Sequence, residues 1–443
     1  MNWNRTSGVL VRATSASGIL ALSLVASVAL LNAQTDPGVR GGPAGAGGPL
    51  PLLTSGEADF FHNHGAPTFA EVEDVSDGLG PRFNLDSCGG CHAYPALGGS
   101  SPAVNPQVSR AAIMAPGNTV PSFLKLNGPV REARFIRKPD GSPDGGVHDL
   151  FTISGRMDKP AGCNIKQPDF SNANNIIFRI PTPTFGAGLI EAITDSTIRQ
   201  NLASNSALKA VLGIRGEVNT NGNDGTVTRL GWKAQNKSLT IFSGEAYNVE
   251  MGVTNEVFPN EREEDPNCAK NGIPESHFGF NVGSTDTDDV TQFMAFMKFL
   301  DQPKPSCTGA GCSASIQNGH KLFTQIGCAL CHTESLTTGP ASSAALDHKT
   351  ANLFSDLAIH HMGPGLSDGV TQGAAGPDEF RTAPLWGVGQ RIFFLHDGRT
   401  NDLNQAILAH DGPGSEADRV TDVYKFVLSN SQRLDILNFL RSL

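Results

Sequence analysis

Charge is in short supply in this chain. Asp, Glu, Lys and Arg make up only 17% of its 443 residues, no block of Lys or Arg occurs, and the formal net charge is −10. Nothing here provides the positive field that nucleic acid or an acidic membrane surface requires, so no nucleic-acid partner is expected. Apolar runs are sparse too. The one long run, residues 18–31 (GILALSLVASVALL), is short for a bilayer span. Arg5 and Arg12 precede it and small residues follow near Ala33, which reads as a signal peptide over residues 1–33. Leu31 is a poor residue three positions before such a cut, so an uncleaved N-terminal membrane anchor stays open. Either way the bulk of the chain is expected in the periplasm.

In excess are Gly (50) and Pro (28), which point to a loop-rich globular protein rather than a long helical bundle. The length suffices for two or three domains. Residues 34–51 are rich in Gly and Pro and cannot bury apolar surface, so they read as a flexible lead-in, with folded structure starting near Leu52.

Eight cysteines divide into two groups of four. Cys88, Cys91 and His92 form CGGCH, and Cys328, Cys331 and His332 form CALCH. In a c-type haem site two thiols add across the vinyl groups and the next residue is a His whose ring reaches the iron. A zinc site does not need a His directly after each second Cys, and a redox CxxC pair would sit in a βαβ context that is not found. Two covalently bound haem c groups are therefore expected, with His92 and His332 as iron ligands. The other cysteines, Cys163, Cys268, Cys307 and Cys312, are even in number and expected in an oxidising compartment. The simplest pairing joins Cys307 to Cys312 and Cys163 to Cys268. CTGAGC lacks both the CxxC spacing and a flanking basic residue, so a catalytic thiol is not expected there.

Helix signals flank the second motif. Ile316, Leu322 and Phe323 share a face before it. Leu434, Leu437, Leu440 and Leu443, with Ile436 and Phe439, form a closing stripe behind the possible N-caps Ser429, Asn430 and Ser431. A further helix over 285–300 has acidic residues in its first turn and stops before Pro303, with Met294 and Met297 as core residues. The acidic stretch Glu261 to Asp265 reads as a solvated loop or a calcium site. The expected organisation is a haem domain over 52–284, a linker helix and loop over 285–310, and a second haem domain over 311–443.

The halves echo each other. Phe178-Arg179-Ile180-Pro181 follows the first motif and Phe380-Arg381-Thr382-Ala383-Pro384 the second, each before a glycine-bearing turn (Gly186, Gly188; Gly387, Gly389). This reads as duplication of one module, with insertions in the first copy between Val104 and Asn175.

The stretches GLGPRFNLDSCGGCH (78–92), GCALCHT (327–333), FSDLAIHHMGPGLSDG (354–369) and FRTAPLWGVGQRIFFLHDGRTNDLNQAI (380–407) resemble the di-haem oxidoreductase family, also called thiol oxidoreductases, from about Gly56 to Leu443. That family is more distantly similar to bacterial di-haem cytochrome c peroxidases and MauG-like enzymes. The resemblance implies a mainly α fold with two cytochrome c-like haem domains, long loops and insertions in the N-terminal one, one haem relaying electrons and the other handling peroxide. Gly231-Trp232-Lys233 and Glu250-Met251-Gly252 look like the peroxidases' bridging tryptophan and acid/base glutamate, against plain roles in core packing and a turn.

Two departures stand out. Leu395 occupies the place of a distal methionine before His396-Asp397-Gly398, leaving His360, His361 and Met362 as the nearest candidate ligands, with His396 behind them. Thr240 occupies the place of a glutamine that partners the acidic residue. Arg381 and Arg399 are candidates to hold haem propionates, since guanidinium forks match carboxylates. For the first haem only His148, and His62 and His64 upstream, are near in sequence, and each reads as a surface residue before a ligand. His320, on the helix before the second motif, reads the same way. The expected function is a peroxidase-like di-haem oxidoreductase fed by a small cytochrome or cupredoxin and using a small oxidant such as peroxide. A non-catalytic di-haem electron carrier and a MauG-like modifying enzyme stay open.

Overall fold

The computed structural model describes residues 35–111, 118–261, 265–277 and 288–443. Contacts divide the chain into two units, Met1–Thr35 and Asp36–Leu443, and only Thr35 of the first is described. The signal peptide, residues 262–264 of the acidic stretch and residues 285–287 of the expected linker helix lie outside the described residues. Among the described residues no helix is long and apolar enough to cross a membrane.

Five helices position the two motifs: α1 (Ala66–Ala70), α2 (Leu239–Met251), α3 (Asp289–Phe299), α4 (Ala314–Gln325) and α5 (Asn430–Ser442). Ser429 starts α5 through a reciprocal cap with Gln432, each side chain taking the other's backbone N–H. Ile436, Leu437, Phe439 and Leu440 are buried along it. Leu434, expected in that stripe, is 38% exposed; its neighbour Asp435 takes the contact with α4 through Ser315 and Asn318.

The α4 and α5 helices cross at Gly319, where a Cβ would overlap the backbone oxygen of Asp435 and press on Phe439. Phe323 fills the space beyond, 5.4 Å from the Phe439 ring and 6.2 Å from His332. Gly319→Ala is expected to destabilise the protein by at least about 1–3 kcal/mol, since neither backbone can retreat without opening the core. Equilibrium denaturation of the variant checks this.

The first half repeats the arrangement. Gly65 lies against Phe296 of α3, and the Phe69 ring of α1 sits 4.6 Å from Phe296 and 6.0 Å from His92. A glycine four residues ahead of a phenylalanine thus precedes each motif and meets a phenylalanine of a later helix. The glycine turns match as well: Gly188 packs on the carbonyl of Lys298 at the end of α3, and Gly389 on that of Arg441 at the end of α5. The helix expected to mark a boundary is therefore the first half's counterpart of α5.

Sheets are small. β1 (Glu132–Phe135) pairs antiparallel with β2 (Val147–His148) and β3 (Ile176–Arg179), and β4 (Ile359–His361) with β5 (Glu379–Arg381). β3 delivers Arg179 and β5 delivers Arg381, the arginines of the two repeated stretches. One hydrophobic core runs from Leu50 to Leu357 and takes in Trp386; a second takes Ile214 and residues from Leu322 to Leu443. Cys163 is bonded to Cys268 and Cys307 to Cys312, while Cys88, Cys91, Cys328 and Cys331 are unbridged.

The lead-in corrects an expectation. Residues 36–50 are fastened rather than flexible: Asp36 pairs with Arg441 and accepts the Leu403 N–H at 2.7 Å, the Arg40 N–H donates to Gly389 O at 2.9 Å, and the Leu50 N–H donates to Phe299 O at 2.7 Å. A Gly/Pro-rich chain buries little apolar surface, but its backbone groups find partners at the ends of α3 and α5.

Candidate functional site

Ser87 caps the one-turn helix Cys88–Cys91 by accepting the Gly90 N–H, which presents both thiols to a cavity. His92 lines the same cavity. Its Nδ1–H donates to Gly99 O at 3.1 Å, so the lone pair is left on Nε2. Burial lowers its pKa to about 4, which keeps the ring neutral. The second motif repeats this. Cys328, Cys331 and His332 line a second cavity, and His332 Nδ1–H donates to Phe354 O at 3.0 Å. Burial pushes the Cys88 thiol far up and that of Cys328 up to about 12. These are not the activated thiolates of a redox pair.

Glu250, in the last turn of α2, lines the first cavity. Asn84 donates to its carboxyl at 2.8 Å, and Glu132 of β1 is hydrogen-bonded to it. Burial, then the Glu132 charge, raises the Glu250 pKa well above the usual range, while the guanidinium of Arg134 pairs with Glu132 and holds it low. Of two facing carboxyls, Glu132 is ionised and Glu250 keeps the proton. The polar partner that Thr240 does not supply comes from Asn84 and Glu132.

Trp232 lines both cavities. It is buried, and its indole N–H donates to Ile180 O at 2.9 Å. Behind it Lys233, with no exposed surface, donates to Glu379 O at 2.9 Å and meets Asp368 at 3.1 Å. Asp368 also accepts from Arg179 at 2.8 Å.

Three buried guanidinium nitrogens that face the cavities lack a hydrogen-bond partner: Arg131 Nε and Arg179 Nε in the first, Arg381 Nη1 in the second. Arg381 Nε donates to Gly231 O, and burial lowers its pKa to about 10; half-buried Arg391 joins it in the second cavity. Guanidinium nitrogens left without an acceptor beside apolar space suit an anionic partner such as a haem propionate, although Arg179 is already ion-paired to Asp368 through Nη2. Arg399 is placed elsewhere. It is exposed, bound to its neighbour Asp397 and to Gly365 O.

The proposed iron ligands also part ways. Met362, His360 and His396 line the second cavity with Leu395. His361 does not; its half-exposed ring faces Asp378 and Glu379. His360 is gripped at both nitrogens, by Glu416 at 2.8 Å and Asp356 at 3.0 Å. His62 and His64 lie on the surface, His148 pairs with Asp144, and His320 pairs with Glu334 and stacks on Phe439. Asp144 and Asp356 lie four residues before His148 and His360, while Glu416, Asp378 and Glu334 come from farther along the chain.

Next to the first cavity the hydroxyl of Tyr247 meets Glu73 at 3.2 Å and Asp289 at 3.1 Å. Burial, with the charges of Asp289, Glu71 and Asp77, pushes Glu73 up to about 8. In the unfolded chain it titrates near 4.5. Between those values the folded state binds a proton that the unfolded state does not, so this group's contribution to stability falls as pH rises from 4.5 to 8. Glu73→Gln is expected to remove that decline, giving a higher melting temperature than the parent at pH 8 and little difference at pH 4.5.

A family model described as "Di-haem oxidoreductase, putative peroxidase" matches residues 139–443. No curated protein matches the chain. Among solved structures, a MauG-like protein associated with microbial copper homeostasis is 16% identical, with 64% of this chain and 92% of that one covered and a TM-score of 0.29. The Kuenenia stuttgartiensis hydrazine synthase gives 15%, 63%, 90% and 0.27. The diheme peroxidase BthA from Burkholderia thailandensis gives 14%, 65%, 92% and 0.29.

Proposed function

Because the chain belongs to the di-haem oxidoreductase family, whose members hold two haem groups, we propose that it is an exported c-type oxidoreductase that reduces peroxide at its first motif with electrons entering at its second. In this reading Cys88 and Cys91, and Cys328 and Cys331, carry the porphyrins as thioethers, and His92 and His332 bind the irons through Nε2. The two halves are cytochrome c-like units, and Arg131, Arg179 and Arg381 take the propionates.

When bound, the haems supply iron that accepts single electrons and, where a position is open, a small oxidant. The residues supply the rest. His92 is the one histidine among the residues lining the first cavity, and Glu250 stands there with a proton to give. With peroxide in this cavity Glu250 would give a proton to the departing oxygen, and Glu132, kept anionic by Arg134, would take up the proton released from the other oxygen. Trp232 spans the wall between the cavities as the route for electrons. The observation that carries the reading is that one side chain, Trp232, lines both motif cavities while the protonated Glu250 lines only the first.

Export fits the two disulfides, which persist in an oxidising compartment. A small cytochrome or cupredoxin is the electron donor in this reading. The test is spectroscopic and kinetic. The denatured protein should exceed its polypeptide mass by two porphyrins, and the half-reduced protein should show one high-spin haem and turn over peroxide. Two six-coordinate low-spin haems without turnover would make it a carrier.

A further inference from the structure

The second cavity contains a histidine that no sequence signal singled out. His410 follows the short helix Leu403–Leu408 and lines the cavity together with His332. Its Nδ1 lies 2.8 Å from Ala406 O, and a carbonyl can only accept, so Nδ1 carries the hydrogen and Nε2 the lone pair. No group among the described residues bonds to that Nε2. His332 is fixed in the same tautomer by Phe354 O, so the cavity holds two imidazoles, each anchored at Nδ1 by a backbone carbonyl and bare at Nε2. Such anchoring is how proteins orient metal-binding histidines.

Resting on the haem reading above, we propose that His410 Nε2 is the second axial ligand of the iron held by His332, taking the role that Leu395 cannot. The other candidates in the cavity are worse placed to donate. His360 is held between the carboxylates of Asp356 and Glu416, which favours the imidazolium and leaves no lone pair. His396 is stacked 4.3 Å from the Phe380 ring and turns its edge to Trp232, and the charges that act on it are those of Asp397, Asp368, Arg399 and Arg179. With two imidazoles this iron is closed to peroxide and confined to electron transfer, which matches the division of labour between the motifs.

The test uses the purified holoprotein, with porphyrin mass and ferric spin state measured on the same samples. The parent should show one bis-histidine low-spin haem. His410→Ala should convert that haem to high spin with both porphyrins retained. His410→Gly should regain the low-spin signal on addition of free imidazole, and His410→Met should give a His–Met low-spin haem of raised midpoint potential. A His410→Ala protein that keeps its low-spin haem overturns the assignment, as does loss of that signal in Met362→Ala or His396→Ala instead. A parent mass lacking the porphyrins overturns the haem reading itself, and the assignment with it.

Discussion

Glu250→Gln is expected to purify with both porphyrins and to turn over peroxide roughly 10²–10⁴-fold more slowly than the parent, the range of a positioned general acid or base. The replacement has nearly the same shape and retains an oxygen to accept from Asn84, but has no proton to transfer. Its partner gives a second readout. Glu132 raises the pKa of Glu250, whereas Arg134 fixes Glu132 as the anion. Glu132→Gln should therefore shift the alkaline limb of the rate profile to lower pH, because Glu250 then loses its proton more easily. Steady-state kinetics across pH, with porphyrin content as the control, decides both. Unchanged turnover in Glu250→Gln removes that carboxyl from the mechanism.

Asp368→Ala should cost about 3–5 kcal/mol of stability, the usual penalty for orphaning a buried charge. Here one carboxylate with no exposed surface serves two cations, Arg179 and Lys233. The loss is expected to depend on pH. Burial already lowers Lys233 to about 8, and without Asp368 it sheds its proton at still lower pH, so the gap to the parent should narrow as pH rises. Denaturation at pH 6 and pH 9 measures this. Because Lys233 follows Trp232 and Arg179 lines the first cavity, the variant should also slow electron transfer between the haems.

Local signals in the sequence reached far but stopped at pairings. The four motif cysteines stand apart from the two disulfides because CxxCH is a contiguous pattern, and α4 and α5 are legible because apolar spacing and a serine cap are local. Three of the four stretches that carry the resemblance lie within the family match over 139–443, and the stretch over 78–92 lies ahead of it. Glu132 was invisible as the partner of Glu250, since nothing in a single sequence says that β1 faces the end of α2. Arg131 and Arg179 went unread for the same reason, while Arg399 drew attention through its motif although its side chain turns to Asp397. A repeated signal is present in the sequence as well: Gly65 with Phe69, and Gly319 with Phe323, stand ahead of the two motifs at equal internal spacing.

The pairing of Asp36 with Arg441 sets an order of events. These partners are 405 positions apart, so a chain emerging amino end first must hold its opening segment loose until almost the last residue is out. Fastening therefore cannot precede the completion of α5, and the same segment also reaches the end of α3 through Leu50, so the last helix to be made is bound to the first stretch that follows Thr35.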